Sequence, residues 1–289
     1  MRVFELFAGI GGCAVALGPG HSLVAAVDQD EAAARAYAHL HGHPVVRHNL
    51  HHAKARWFEK FEADFWWMSP PCQPYTIRGH QRDLDDRRAQ AFQRVVAAID
   101  ALQPRAIGLE NVPWFQDSRS EALIFEVLAR RGYDVHTELL CPTALGVPAQ
   151  RRRYYLVASR DGLTEAARPR PEPVRWQDWL APFDPSLEVP VELAQRYDGA
   201  LHVIDADDPE AESVCFTGAY GRSPVHAGSY LRQDGRLRWF SPVEIARSLG
   251  FAEDFALPEG LGREKAYKLV GNSLSVFAVR HVLGRIPGI

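Results

Sequence analysis

The chain has 289 residues, 46% of them hydrophobic, which is enough for one sizeable domain and a smaller lobe. A formal net charge of -3 excludes a broadly basic nucleic-acid binder, so any such contact must rest on a local patch. Four widely spaced cysteines without a CxxC pair argue against structural zinc and a disulfide framework, and no apolar run is long enough to span a membrane. The first residues enter a strand pattern directly, with no signal-peptide pattern. A cytoplasmic, metal-free monomer without a membrane partner is expected.

Predicted strands cover Val3–Phe7, Leu23–Val27, Phe65–Met68 and Ala106–Leu109, with a short one at Val45-Val46. Asp30 is placed to cap a helix through about His41. Phe92, Val95, Val96, Ile99 and Leu102 recur at helical spacing before Pro104. Leu123, Ile124, Val127 and Leu128 mark another helix, closed by Gly132. Tyr133–Leu140 and Tyr154–Ala158 read as strands. This alternation predicts an α/β fold, a parallel sheet with helices on both faces. Beyond Ser159, prolines crowd a region of little periodicity that leads into a small irregular lobe. Pro242 can start a helix through Leu249, and a last helix is expected from about Leu274 to Leu283. The expected division is 1–160 plus 236–289 for the sheet domain and 161–235 for an inserted lobe.

Four strand ends carry chemistry. Phe7-Ala8-Gly9-Ile10-Gly11-Gly12 follows the first strand, where glycines permit a tight turn and close approach of a ligand. The pattern is neither GxGxxG nor a phosphate loop. Asp28, past the second strand, can accept bonds from ribose hydroxyls. A nucleoside cofactor without a long phosphate tail fits both, and S-adenosylmethionine is such a molecule. A plain tight turn with a capping aspartate is the other reading. Cys72, in Ser69-Pro70-Pro71-Cys72-Gln73-Pro74-Tyr75-Thr76, sits in a proline-stiffened loop, either as a nucleophile or as a small buried hydrophobe. Glu110, in Leu109-Glu110-Asn111-Val112, ends another strand as a reacting acid or a salt-bridged structural one.

Gln150-Arg151-Arg152-Arg153-Tyr154 and Gly271-Asn272-Ser273 complete an ordered set with these segments. The set resembles the cytosine-5 methyltransferases. Cys215-Phe216-Thr217 with Tyr220-Gly221 resembles the signature of the "DNA methyltransferase two" branch, whose members methylate an anticodon-loop cytosine of tRNA(Asp). Apart from the resemblance, Cys215-Phe216-Thr217 reads as a buried strand fragment.

The resemblance implies a Rossmann-like S-adenosylmethionine-dependent fold with a small target-recognition lobe. It implies tRNA as the preferred partner, with DNA as the alternative. It further implies Cys72, Glu110, Arg151 and Arg153 as catalytic residues. The cofactor would meet Phe7, Ala8, Gly9, Ile10, Gly11, Gly12, Asp28, Gln29, Asn49, Pro70, Asn272 and Ser273. Substrate would meet Pro71, Gln73, Asn111, Cys215, Phe216, Thr217 and Tyr220. Two positions depart from the family pattern. Ala149 stands where many members have glutamine, and Asn49 stands where many DNA enzymes have an aspartate for the adenine amino group. Arg78, His80, Arg82, Arg87 and Arg88 form either a basic segment over the substrate or a solvated loop.

Overall fold

The computed structural model describes residues 1–76, 81–165 and 174–289. In chain order the elements are β1 (Arg2–Leu6), α1 (Gly12–Leu17), β2 (Ser22–Asp28), α2 (Glu31–His41), β3 (Val46–Arg47), α3 (Ala55–Glu59), β4 (Phe65–Met68), α4 (Gln90–Leu102), β5 (Ala106–Asn111), α5 (Arg119–Arg130), β6 (Asp134–Leu140), β7 (Arg153–Ser159), α6 (Val191–Arg196), β8 (Val203–Asp205), β9 (Tyr230–Gln233), β10 (Arg236–Trp239), α7 (Pro242–Ser248), α8 (Arg263–Asn272) and α9 (Val276–Leu283).

The chain divides into two compact units. The first is Met1–Leu140, Arg152–Arg168 and Ala278–Ile289; the second is Cys141–Arg151 and Pro169–Phe277. The expected division instead groups 236–289 with the sheet. Residues 141–151 and 236–277 fall in the second unit. For 236–239 the reason is that β10 pairs with β9, and a period-2 signal only four residues long is too short to reveal that pairing.

The first unit holds a seven-stranded sheet in the order β3-β2-β1-β4-β5-β7-β6. Strands β3, β2, β1, β4 and β5 pair in parallel. Phe65-Trp66-Trp67-Met68 is buried throughout, as a central strand covered on both faces must be. Asp30 caps α2 by accepting from Ala32 and Ala33 N–H at 2.9 and 3.1 Å. Phe92, Val95, Val96 and Ile99 give α4 its buried face, and Ser118 caps α5 by accepting from Glu121 N–H at 3.0 Å. β7 runs antiparallel to both β5 and β6, a departure from the all-parallel expectation. No crossover helix lies between β6 and β7, and without one a parallel return is not available.

Successive strands leave β1 on one side toward β3 and restart on its other side at β4. The point of reversal lies between β1 and β4, where open α/β sheets bind ligands outside the strands' carboxyl ends. Phe7–Gly12 and Pro70–Cys72 emerge from those two strands.

The second unit has its own sheet, β10-β9-β8. Its core gathers Trp176, Phe216, Tyr220, Tyr230, Phe240 and Tyr267. Arg238, 1% exposed, is held by Glu244 at 2.7 and 2.9 Å. Five elements of this unit are not foreseen: α6, β8, β9, β10 and α8. The final helix starts at Val276, and Gly271-Asn272-Ser273, which the sequence suggests opens that helix, closes α8 instead. α8 carries Arg263, Glu264, Lys265 and Lys268 over a narrow apolar face, which masks its period. Among the described residues no helix is long and apolar enough to cross a membrane.

Candidate active site

At the end of β1 the backbone turns through Phe7, Gly9 and Gly11, all at positive φ (56°, 55° and 81°). Gly11 must be glycine on two grounds. Its φ is left-handed, and a Cβ there would lie 2.1 Å from His41 Nε2. Gly9 differs, since a Cβ on it would meet nothing within 4 Å. The turn is therefore braced at Gly11 and open at Gly9.

Asp28 closes the same corner. Its Oδ2 accepts from Gly9 N–H at 2.9 Å and its Oδ1 from Asp30 N–H at 2.8 Å. Burial raises its pKa above the ordinary aspartate value. A carboxylate offers about four acceptor positions, so Asp28 can hold the turn and still take a ligand hydroxyl. Asn49 is exposed, and its side-chain oxygen already accepts from His51 N–H at 3.0 Å. That acceptor caps a local turn, which explains why asparagine suits the position.

Glu5 has no role in the sequence reading. Its buried carboxyl accepts from Cys13 N–H at 3.1 Å, near the start of α1, and from Tyr37 OH at 3.2 Å. Burial pushes its pKa up to about 8. The one sequence signal is an acid within an otherwise apolar strand.

The Cys72 loop is fixed from two sides. Asn111 donates through Nδ2 to Pro70 O at 3.0 Å, while its Oδ1 accepts from Val112 N–H at 2.9 Å. Tyr75 N–H donates to Cys72 O at 3.0 Å, and Tyr75 OH donates to Ser120 Oγ at 3.1 Å. Cys72 is partly buried, Pro70 is buried, Pro71 is partly buried, and Gln73 is exposed.

Glu110 pairs with Tyr155 across β5 and β7, so Arg153, two residues from Tyr155, lies on Glu110's face of the sheet. Arg153 Nε stands 3.3 Å from Glu110 Oε1, and Arg153 Nη1 donates to Arg152 O at 2.8 Å. Within the first unit, then, Cys72, Glu110, Asn111 and Arg153 are brought to one set of strand ends. Of the basic segment, Arg78 and His80 lie outside the described residues. Arg82 and Arg87 are exposed, and Arg88 pairs with Asp86 at 2.5 Å.

Arg151 has a different setting from the expected one. Its 5%-exposed guanidinium lies in the second unit, where Nη1 donates to Phe216 O at 3.1 Å and Nη2 donates to Gly271 O at 3.2 Å and to Ser273 O. Nη1 is also 3.7 Å from Cys215 Sγ. Gly271 and Gly218 interlock these segments. A Cβ on Gly271 would lie 2.3 Å from Thr217 O, and one on Gly218 would lie 2.5 Å from Asn272 Oδ1. Asn272 itself is exposed and Ser273 is buried.

Phe216 and Tyr220 are core residues, contrary to the substrate-facing expectation. Tyr220 OH donates to Ser229 O at 2.6 Å and accepts from Phe240 N–H at 2.9 Å, so its polar end is satisfied within the unit. Cys215 is partly buried, and Thr217 N–H donates to Ala227 O at 2.9 Å. Residues 215–217 form no strand.

A model of the C-5 cytosine-specific DNA methylases matches residues 1–185. The chain belongs to the C-5 cytosine-specific DNA methylase family. Within it, the chain is 30% identical over 317 residues to a Schizosaccharomyces pombe protein named tRNA (cytosine(38)-C(5))-methyltransferase, covering 98% of this chain and 96% of the relative. A human protein of the same name is 26% identical, with 98% of each chain covered. Among solved structures, the Entamoeba histolytica methyltransferase EhMeth superposes with a TM-score of 0.92 at 25% identity, covering 98% and 96% of the two chains. The S. pombe Dnmt2 methyltransferase superposes with a TM-score of 0.86 at 27% identity, covering 98% and 97%. The α/β fold is thus that of the family's methyltransferases.

Proposed function

We propose that this protein methylates carbon-5 of a cytosine in tRNA, most simply in the anticodon loop of tRNA(Asp), with S-adenosylmethionine as methyl donor. The observation that carries the tRNA reading is end-to-end similarity to relatives named tRNA (cytosine(38)-C(5))-methyltransferase, at up to 30% identity. The first unit carries the chemistry and the second recognises the substrate.

The residues present fit the cofactor. The space at Gly9 is open, the turn around it is rigid, and the Asp28 carboxylate stands at its rim. When bound, S-adenosylmethionine supplies an electrophilic methyl group. Phe7–Gly12 would hold it, with Asp28 on the ribose.

Carbon-5 of cytosine is a poor nucleophile until the ring's aromaticity is broken. The Cys72 thiolate adds to carbon-6, and the ring becomes an enamine with electron density at carbon-5. Glu110 donates at N3, where negative charge develops, and Arg153 orients that carboxyl and the cytosine carbonyl. Asn111 keeps the thiol's loop in place through Pro70 O. After methylation a base, which can be a water, takes the proton from carbon-5, and Cys72 departs as thiolate by elimination.

The test is a labelled methyl-transfer assay on a tRNA(Asp) transcript and, separately, on duplex DNA at matched salt, because phosphate contacts are salt-dependent. Methylation of the transcript is expected. Efficient methylation of the duplex with none on the transcript would replace this reading with the DNA enzyme, the activity named for a Dictyostelium discoideum relative 25% identical to this chain.

A further inference from the structure

Trp114 is 56% exposed, in the turn that directly follows Glu110, Asn111 and Val112. The other exposed large hydrophobic among the described residues is Val191, in the second unit. A single exposed hydrophobic residue is ordinary on a protein surface, so what singles out this ring is its place, two residues past Val112 in the loop that continues from Glu110 and Asn111.

The backbone that carries the ring is held in place. Pro113 restricts the backbone before it. Phe115 N–H donates to Val112 O at 2.9 Å, and Gln116 N–H donates to Pro113 O at 3.1 Å. Phe115 is fully buried against Tyr75, Phe92 and Tyr154, with ring centroids 4.9, 5.7 and 5.4 Å away. Tyr75 in turn closes the Cys72 turn. The anchor that holds Trp114 outward is thus packed on the turn that carries the thiol.

The nearby charges are mixed, and most are paired with one another. Asp83 accepts from Arg119 and Ser120 N–H at 2.6 and 3.2 Å, drawing the Arg82–Asp86 segment onto the start of α5. Arg119 pairs with Asp85. Arg82 and Arg87 remain exposed and form no ion pair among the described residues.

We propose that Trp114 is a stacking platform for an unpaired base of the RNA substrate, beside the cytosine that enters at Cys72, with Arg82 and Arg87 on the flanking phosphates. This rests on the RNA reading above. An exposed indole offers a π-face to any base, and the held backbone keeps it in reach of the Cys72 turn. A paired duplex keeps its bases stacked inside, so the platform favours single-stranded segments.

The experiment compares full-length wild type, Trp114→Ala and Trp114→Phe. Fluorescence anisotropy gives Kd for a short single-stranded RNA and for the same sequence fully paired. Steady-state kinetics give KM for a tRNA(Asp) transcript, and calorimetry gives the affinity for S-adenosylhomocysteine. Trp114→Ala should raise the single-strand Kd and the transcript KM roughly 5- to 160-fold, since stacking contributes about 1–3 kcal/mol per base. Duplex and S-adenosylhomocysteine affinities should not change, and Trp114→Phe should recover most of the loss. An unchanged single-strand Kd, an equal loss on the duplex, or loss of S-adenosylhomocysteine binding would each overturn the proposal. If wild type methylated only duplex DNA, the RNA reading would fall. The single-strand Kd ratio would then still decide the stacking claim, a retained loss supporting it and an unchanged value overturning it.

Discussion

Arg151 and Arg153 are two residues apart and have opposite surroundings. Arg153 lies in β7 and faces the Glu110 carboxyl, where its charge can act on a reacting group. Arg151 lies in the second unit with its guanidinium on the carbonyls of Phe216, Gly271 and Ser273, where it ties two distant segments of that unit together. A planar fork of donors suits both tasks. What separates them is the partner supplied by the fold: a side-chain acid in one case and main-chain oxygens in the other. The first arrangement leaves the guanidinium facing an acid at the strand ends and the second ties main-chain segments together, although both arginines belong to one sequence motif.

The chemical side of this comparison would break most visibly at Cys72. Cys72→Ala should abolish methyl transfer while S-adenosylhomocysteine still binds by calorimetry. Near-normal turnover in that variant would remove the covalent route. Next in size is Glu110→Gln, which keeps a donor but cannot pass a proton. A loss of about a hundredfold or more in kcat is expected, and a rate unchanged across the pH range would exclude the acid role.

The arginines themselves sharpen the contrast. Arg151→Ala leaves buried carbonyls unpaired and should lower stability by about 3 kcal/mol or more, read by urea denaturation. Arg153→Ala should lower the methyl-transfer rate. Because its pair with Glu110 is largely buried (side chains 16% and 11% exposed), it should also lower stability by about 3–5 kcal/mol. The rate at a temperature where both variants are folded is therefore what separates them. If Arg151→Ala were as stable as wild type and merely slow, the architectural assignment would fail.

A last effect, on stability alone, lies behind the cofactor turn. Burial holds the Glu5 carboxyl protonated up to about 8, against an ordinary value of 4.5. Between those values the folded chain binds a proton that the unfolded chain has lost. Stability therefore falls as pH rises through that window, by at most about 1.4 kcal/mol per pH unit, and levels off above it. Glu5→Gln should flatten that slope in denaturation curves taken from pH 5 to 8. A slope equal to wild type would assign the pH dependence to other groups.

The sequence alone determined the parts that depend on local pattern. The β1, β4 and β5 runs are apolar and short, and α2, α4 and α5 carry caps or a clear helical face, so their signals lie within one window of residues. The order of the strand-end motifs placed Phe7–Gly12, Cys72 and Glu110 at carboxyl ends, because an α/β alternation leaves few topologies. Tertiary structure alone decided the rest. The antiparallel run of β7 depends on what pairs with it, and its own residues do not encode a direction. β8, β9 and β10 are too short for a period to show, and α8 is too polar. Whether Tyr220 faces a substrate or a core, and whether Arg151 meets an acid or three carbonyls, is set by segments far away in the chain. A side chain's chemistry can be read from the sequence, but the groups that will satisfy it are chosen by the fold.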